Sequence, residues 1–239
     1  MTDIETMRRF YFSHTTVQVM GAAAILGIAL GLRRGDAAAL GMFAFGWCVY
    51  VVEEYLVHRF IFHAPAPQRQ RLFDILYRLH YGHHDQVANR HLLFTPLWFA
   101  FSLTFVNMAV VALVLPLDLV VIGACGGGVT AYLMFEWLHL TSHFRTPTKG
   151  ALGRYITRRH AKHHHIDYAY WYTVSPGGQL VDSALGSNPA SHAVVPNVHT
   201  CGLEPQDPRL VRSRERFGID VSLANGAPVA SRVEVAEAL

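Results

Sequence analysis

The residues of this 239-residue chain whose type and spacing could do chemistry are histidines in two short stretches. Eleven of the fifteen histidines lie within residues 58–84 and 139–165. They form four boxes, which are His58-x4-His63, His80-x2-His83-His84, His139-x3-His143 and His160-x2-His163-His164. Neutral imidazole is the commonest side-chain ligand of protein-bound metals. The boxes therefore predict a metal site.

On a helix, residues at i, i+3 and i+4 share a face, so the three histidines of the second box should converge, as should those of the fourth. His139 and His143 should also point one way. His58 and His63 diverge by about 140° on a regular helix, so we expect them to flank a helix end or to bridge two metals. Ten imidazoles exceed the needs of one ion, whereas two ions that take four or five each would use all ten.

Five other histidines and one carboxylate stand apart from this set. His165 points about 100° away from His164 on a helix and is a possible additional ligand, as is Glu136. The remaining four are expected to be structural or on the surface; they are His14, His91, His192 and His199.

The kind of metal follows less directly from the ligands. Three widely separated cysteines fit neither a disulfide framework nor a zinc-thiolate site. A catalytic zinc ion has three protein ligands and a water, so this many histidines favour a dinuclear redox centre. We expect two iron ions in the working protein, which zinc can replace in a purified sample.

Composition indicates the elements that must position the boxes. Hydrophobic residues make up 51% of the chain and charged residues only 15%, which favours a membrane protein. Four apolar runs are long enough to span a bilayer as helices; they cover residues 15–32, 37–56, 97–115 and 119–138. Arg33 and Arg34 follow the first run where a signal peptide would have a cleavage site, so we predict an uncleaved span.

The boxes lie in polar segments between and after these runs, at residues 57–95 and 139–190. An even number of spans separates the two segments, so they should form one cap on one side of the membrane. Eleven arginines and lysines after residue 140 predict that this side is cytoplasmic. Because Arg33 and Arg34 then break the pattern, the first hairpin could instead be re-entrant or monotopic.

The remaining organisation is simple. Pro116 predicts a tight hairpin between the third and fourth runs, and four glycines of the fourth run predict close helix packing; these are Gly123, Gly126, Gly127 and Gly128. Residues 1–204 should form one domain, followed by a loosely packed or disordered tail at 205–239.

Basic residues flank the apolar runs without interleaved aromatics, which excludes a nucleic-acid-binding surface.

The order of the boxes and their flanks resembles the fatty acid hydroxylase and sterol desaturase superfamily of integral membrane diiron oxygenases. The likeness covers residues 51–189 and is closest to the fatty acyl 2-hydroxylase branch. The flanks that carry it are Tyr55-Leu-Val-His58-Arg-Phe, Phe135-Glu-Trp-Leu-His139, Trp171-Tyr-Thr-Val-Ser and Gly186-Ser-Asn-Pro189.

This resemblance implies an all-α fold in which the ten boxed histidines hold two iron ions in a cytoplasmic cap over four transmembrane helices. It further implies that O2 and two electrons hydroxylate or desaturate a lipid. Residues 1–50 leave no room for a fused cytochrome b5-like domain, so we expect a separate cytochrome b5-, ferredoxin- or reductase-type electron donor.

Several alternatives stay open from the sequence. The same site could serve a sterol or carotenoid desaturase or oxidase, the metal could be purely structural, or the chain could transport or store zinc or iron. Transport predicts ionisable groups within the spans, and the third and fourth runs have almost none before Glu136. Glu53 and Glu54 could lie at the interface or support a metal ligand.

Aromatic residues near the boxes either line the path of an acyl chain or anchor the helices at the interface. These candidates are Phe60, Phe62, Tyr81, Trp137, Tyr170 and Trp171.

Overall fold

A computed structural model of the chain describes residues 3–87, 89–144 and 150–218. The regular secondary structure of these residues is helical. The predicted all-α class is confirmed. The helices are α1 (Asp3–Ser13), α2 (Thr15–Arg34), α3 (Ala37–Val57), α4 (Gln70–Leu76), α5 (Gly82–Asp85), α6 (Leu97–Val111), α7 (Leu117–Val121), α8 (Val129–Ser142), α9 (Ala151–His165), α10 (Gly178–Ala184) and α11 (Pro208–Phe217). Single 3-10 turns occur at Arg90–Leu92 and Val198–Thr200.

Three π-helical segments continue α-helices without a break. They are His58–Phe62 after α3, Tyr77–Tyr81 between α4 and α5, and Ile122–Gly128 between α7 and α8. A π-helix bonds residue i to residue i+5, is rare in proteins and frequently occurs at functional sites. Two of these segments carry histidines of the boxes.

Four mainly helical stretches are long and apolar enough to cross a membrane, which confirms the four predicted spans by length and composition. They are Thr15–Arg34, Ala37–Phe62, Arg90–Val111 and Leu117–Ser142. The second is longer than predicted because the π-helical segment extends α3 into the first histidine box. The third ends at Val111, since residues 112–115 turn toward Pro116.

Glycines bring three of these helices into backbone contact. A Cβ atom built on Gly46 of α3 would overlap the carbonyl oxygen of Gly123, and one built on Gly27 of α2 would overlap the amide nitrogen of Gly126. The predicted close packing of the fourth run is therefore confirmed. Its partners are α2 and α3.

The C-terminal helix α11 packs against the cap, so the expected loose tail is wrong for residues 208–217. Leu210 is fully buried, and the guanidinium of Arg216 lies 2.6 Å from the carboxylate of Asp74. Burial alone would raise the pKa of Asp74, but hydrogen bonds from Ser213, Gln70 and Arg216 hold it below its usual value. Residues 219–239 of the predicted tail lie outside the described residues.

Substitution of Gly46 by alanine should destabilise the helical core, because the added methyl group has no space beside Gly123. Overpacking of this kind costs about 1–3 kcal/mol. Gly41→Ala is the matched control on the same helix, since nothing lies within 4 Å of its added Cβ. Unfolding of both variants in detergent measures the difference, and equal stabilities would contradict the backbone contact.

Candidate metal centre

The ten boxed histidines come together as two groups of five. Within each group, one ring nitrogen from every histidine lies within 4.8 Å of the others. The first group is His58, His63, His80, His84 and His163, and the second group is His83, His139, His143, His160 and His164. Eight of these side chains are buried, while His63 and His143 are half-buried.

Each group draws on both halves of the chain, in a way the box spacing did not predict. Histidines at i and i+4 stay together, but His83 separates from His80 and His84 and joins the second group. His163 likewise leaves its own box for the first group. The expected convergence of three histidines per box is therefore wrong, because adjacent helical residues such as His83 and His84 point about 100° apart.

The π-helical turn explains the pairing of His58 with His63. The amide of His63 donates to the carbonyl oxygen of His58 at 3.1 Å, which is an i to i+5 bond. In such a turn, residues five apart lie on one face, so both imidazoles enter the first group. The prediction that this box bridges two metals is wrong, since it assumed 3.6 residues per turn.

The donor atoms of the first group are spaced like ligands of a single ion. The Nε2 atoms of His80 and His163 each lie 3.0–3.2 Å from those of His58, His63 and His84. Two nitrogens bound at right angles with bonds of about 2.1 Å are roughly 3.0 Å apart. These five histidines would therefore be able to hold one ion together.

The second group has similar close approaches. The Nε2 atoms of His83 and His139 are 3.0 Å apart, and those of His143 and His160 are 2.8 Å apart. The first and second groups adjoin each other, because the rings of His84 and His164 stack with centroids 4.1 Å apart. The arrangement can therefore hold two neighbouring ions.

Hydrogen bonds among the imidazoles cannot satisfy these contacts. A neutral imidazole carries one N–H, yet the Nε2 atom of His80 faces three other Nε2 atoms. Burial lowers the pKa of His163 to about 4 and shifts those of His80 and His84 well below the ordinary value, so protonation is opposed. A cation that accepts all the lone pairs is the partner that fits this donor set.

Backbone carbonyls orient two ligands of the first group. The Nδ1 atom of His58 faces the carbonyl oxygen of Tyr172, and that of His163 lies 2.7 Å from the carbonyl oxygen of Tyr170. A carbonyl only accepts, so each Nδ1 must carry the proton. The Nε2 lone pairs are thereby directed into the group.

Two buried carboxylates fix the segment that supplies these carbonyls. Asp182 accepts from the amides of Tyr172 and Thr173 at 3.1 and 3.0 Å and pairs with Arg159 at 2.6 Å. Glu54 accepts from the amide of Val174 at 2.6 Å. Glu54 is therefore buried in the protein and supports the segment that orients the ligands.

Sequence reasoning missed Asp182, which belongs to no box. One signal could have identified it: Asp182 is the only charged residue between positions 168 and 190. A lone charge in a neutral segment beside a histidine box is costly to bury unless it has a defined set of donors.

Neither additional candidate ligand belongs to a group. Glu136 is fully buried and accepts from the amide of Thr95 and the hydroxyl of Tyr132. His165 has its ring centroid 5.1 Å from that of His199.

The four histidines expected to be structural or on the surface also lie outside both groups. His14 stacks on Phe94, His91 is exposed, and His192 contacts Asp167.

A cavity of about 300 Å³ extends from the histidines into the membrane-spanning region. Its walls include His58 and His80 of the first group and His139 and His160 of the second. Most of the other wall residues are apolar and come from α3, α6 and the π-helical segment Ile122–Gly128. The cavity therefore gives an apolar molecule access to both groups.

Among the six aromatic candidates for a substrate path, Phe62 lies on the cavity wall. Phe60 is exposed, and the hydroxyl of Tyr81 donates to the carbonyl of Ala64. Trp137 packs on Tyr11.

The last two candidates belong to the loop after α9. The ring of Tyr170 lies against that of His192, with centroids 4.6 Å apart. The indole of Trp171 is buried and donates to the carbonyl of Pro189.

Comparison with known proteins identifies the architecture. The model of a family described as fatty acid hydroxylase matches residues 43–187, more than half of the chain. The chain belongs to the fatty acid hydroxylase family. This confirms the resemblance expected from the histidine boxes. Four helices that could cross a membrane, together with this membership, make the chain an integral membrane protein.

Relatives within the family are similar over the region of the boxes. Fatty acid 2-hydroxylase of Rattus norvegicus is 28% identical over 131 residues, and that of Mus musculus is 27% identical over 133 residues. Each alignment covers 54% of this chain and 35% of the relative, so the chain spans about a third of their length.

A solved structure has the same fold as this hydroxylase-family chain. It is described as full-length scs7p with only the hydroxylase domain visible, and its TM-score is 0.65 at 22% identity. The superposition covers 74% of this chain and 67% of that one.

Metal analysis of the purified protein should find two ions per chain, because each group offers five converging nitrogens. His63→Ala should weaken binding in the first group and His143→Ala in the second, so each variant retains about one tightly bound ion. His91→Ala, which changes an exposed histidine, should retain two. One ion in the wild-type chain would contradict the division into two groups.

Asp182→Asn should loosen the first group without removing a ligand, because the loop loses its charged anchor to Arg159. Loss of such supporting contacts typically lowers metal affinity by about 10–100-fold. Competition with a chelator measures the change, and Glu215→Gln, at an exposed position of α11, serves as the control. An unchanged affinity for both ions would show that the contacts of Asp182 do not orient the ligands.

Proposed function

We propose that the chain is a membrane-bound diiron oxygenase that hydroxylates the acyl chain of a lipid. The observation that carries this proposal is the cavity, which contacts histidines of both groups at one end and enters the apolar spans at the other. In the balanced reaction, a C–H bond, O2, two electrons and two protons give a C–OH group and water. No amino-acid side chain oxidises an unactivated C–H bond unaided.

The proposed ligands are the ten histidines of the two groups, five to each ion. Two iron ions bound there would supply the redox chemistry, and zinc can replace them in a purified sample. The chain's own residues hold the ligands in place, exclude water and orient the substrate. Burial of the imidazoles and the apolar cavity walls support these roles.

The volume of the cavity supports an acyl chain as the substrate. A volume of about 300 Å³ is at the small end for ligand cavities, which suits a slender chain better than a sterol ring system. The matched relatives named fatty acid 2-hydroxylase support the same substrate class. Hydroxylation is accordingly proposed ahead of sterol or carotenoid desaturation.

The proposed setting is a single domain that includes α11 and whose cap lies on the cytoplasmic face. The arginines of α9 and the cap support this orientation. Because protein side chains do not supply the two electrons, the proposal includes an electron donor of the cytochrome b5, ferredoxin or reductase type. The lipid substrate would enter from the membrane.

Lipid extracts of cells that express the wild-type protein should contain an acyl lipid heavier by one oxygen atom than in cells without it. His84→Ala should abolish this product, because His84 belongs to the first group and stacks on the second. His91→Ala should leave it unchanged. The measurement is comparative mass spectrometry of the two variants and the wild type.

Other products would assign other functions. A lipid lighter by two hydrogens would indicate a desaturase instead. Unchanged lipids together with metal uptake that depends on His84 would contradict the oxygenase and favour transport.

A further inference from the structure

Two polar side chains interrupt the apolar wall of the cavity within the membrane-spanning helices. The Nδ2 atom of Asn107 on α6 donates to both carboxyl oxygens of Glu53 on α3, at 2.9 Å each. Both residues line the cavity, alongside Leu103 and Val110. Polar groups in a membrane span are costly and generally mark a functional position. The metal site uses neither residue.

The pair lies deeper in the membrane than the histidines. Glu53 precedes His58 by five residues on one continuous helix, which places it roughly 7.5 Å further along the axis. Asn107 lies ten residues beyond Leu97, where α6 leaves the cap. An acyl chain that presents a C–H bond to the histidines therefore places a carbon several bonds further along the acyl chain beside Glu53 and Asn107.

The pair can both donate and accept further hydrogen bonds. An amide carries two N–H groups, and the two oxygens of one carboxyl are close enough to share one of them. Because the two N–H bonds of an amide diverge, one N–H shared by both oxygens leaves the second for a ligand, and the carboxyl oxygens keep additional lone pairs. A plain methylene chain would leave these groups without partners, which opposes its binding. A hydroxyl group would match them, because it donates and accepts at once.

We propose that Glu53 and Asn107 form a subsite that binds a hydroxyl group on the substrate's chain. The inference rests on the proposed function, since it assumes that an acyl lipid occupies the cavity. It narrows the substrate to a lipid that already carries a hydroxyl group several carbons from the C–H bond that reacts. The enzyme would then add a second oxygen at a fixed distance from the first.

Binding of hexadecanoic acid and its monohydroxy derivatives tests this subsite. The intact protein is purified in detergent micelles, and each acid competes with a fluorescent fatty acid while the hydroxyl position moves one carbon at a time. In the wild type, a derivative with a mid-chain hydroxyl should bind about 3- to 10-fold more tightly than hexadecanoic acid. The readout is affinity and needs no turnover.

Variants distinguish a binding role of the Glu53–Asn107 pair from a purely structural hydrogen bond between α3 and α6. Glu53→Leu and Asn107→Leu should each remove the preference while keeping the affinity for hexadecanoic acid, whereas Glu53→Gln should retain part of it. Thr104→Val is the matched control, because Thr104 lines the cavity but its hydroxyl already donates to the carbonyl of Ala100. The control should keep the full preference.

The outcomes distinguish this inference from the proposed function. Equal binding of hexadecanoic acid and all its derivatives to the wild type would overturn the subsite and leave the acyl-binding cavity standing. A preference that survives both leucine variants would also overturn the subsite. Failure of every acid to compete would overturn both proposals.

Discussion

The packing of ten imidazoles, eight of them buried, into two adjoining groups is the constraint on which the rest of this structure depends. Their Nε2 atoms face one another at about 3 Å in the first group, where protons cannot satisfy them all. Without a cation, the imidazoles lose their hydration on folding and their Nε2 lone pairs have no hydrogen-bond donor, and both effects oppose folding. Metal binding and folding of the cap should therefore be thermodynamically coupled.

His83 and His163 each belong to the group that is formed mainly by the other half of the chain, and this ties the two halves together. Neither group can be completed by one half alone, because each contains two pairs and a fifth histidine from elsewhere. The hairpin of α6 with α7 and α8 must bring residues 139–164 back beside residues 58–84 before either group exists. The membrane-spanning region thus acts as the scaffold that brings the ligands together.

The features that follow from composition and regular helical spacing could be predicted from the sequence. Four spans, an all-α fold and a set of ten histidines could all be predicted, since apolar runs and repeated boxes are local patterns. The pairing of His58 with His63 could not, because a π-helical turn changes the residues per turn without a clear compositional signal. The docking of α11 was also missed, since Asp74 and Arg216 lie far apart in the sequence and meet only in the fold.

All three π-helical segments lie at the histidines or at the cavity wall. Two carry histidines, and the third, Ile122–Gly128, contributes Gly123 and Gly128 to the cavity wall. The same glycines allow α3 to approach closely at Gly46, so their missing side chains provide both helix contact and open space. A larger residue at Gly123 would reduce the cavity and separate the helices in one step. Cavity shape and membrane-core packing are consequently determined by the same few residues, which links the substrate that the chain can accept to the stability of its fold.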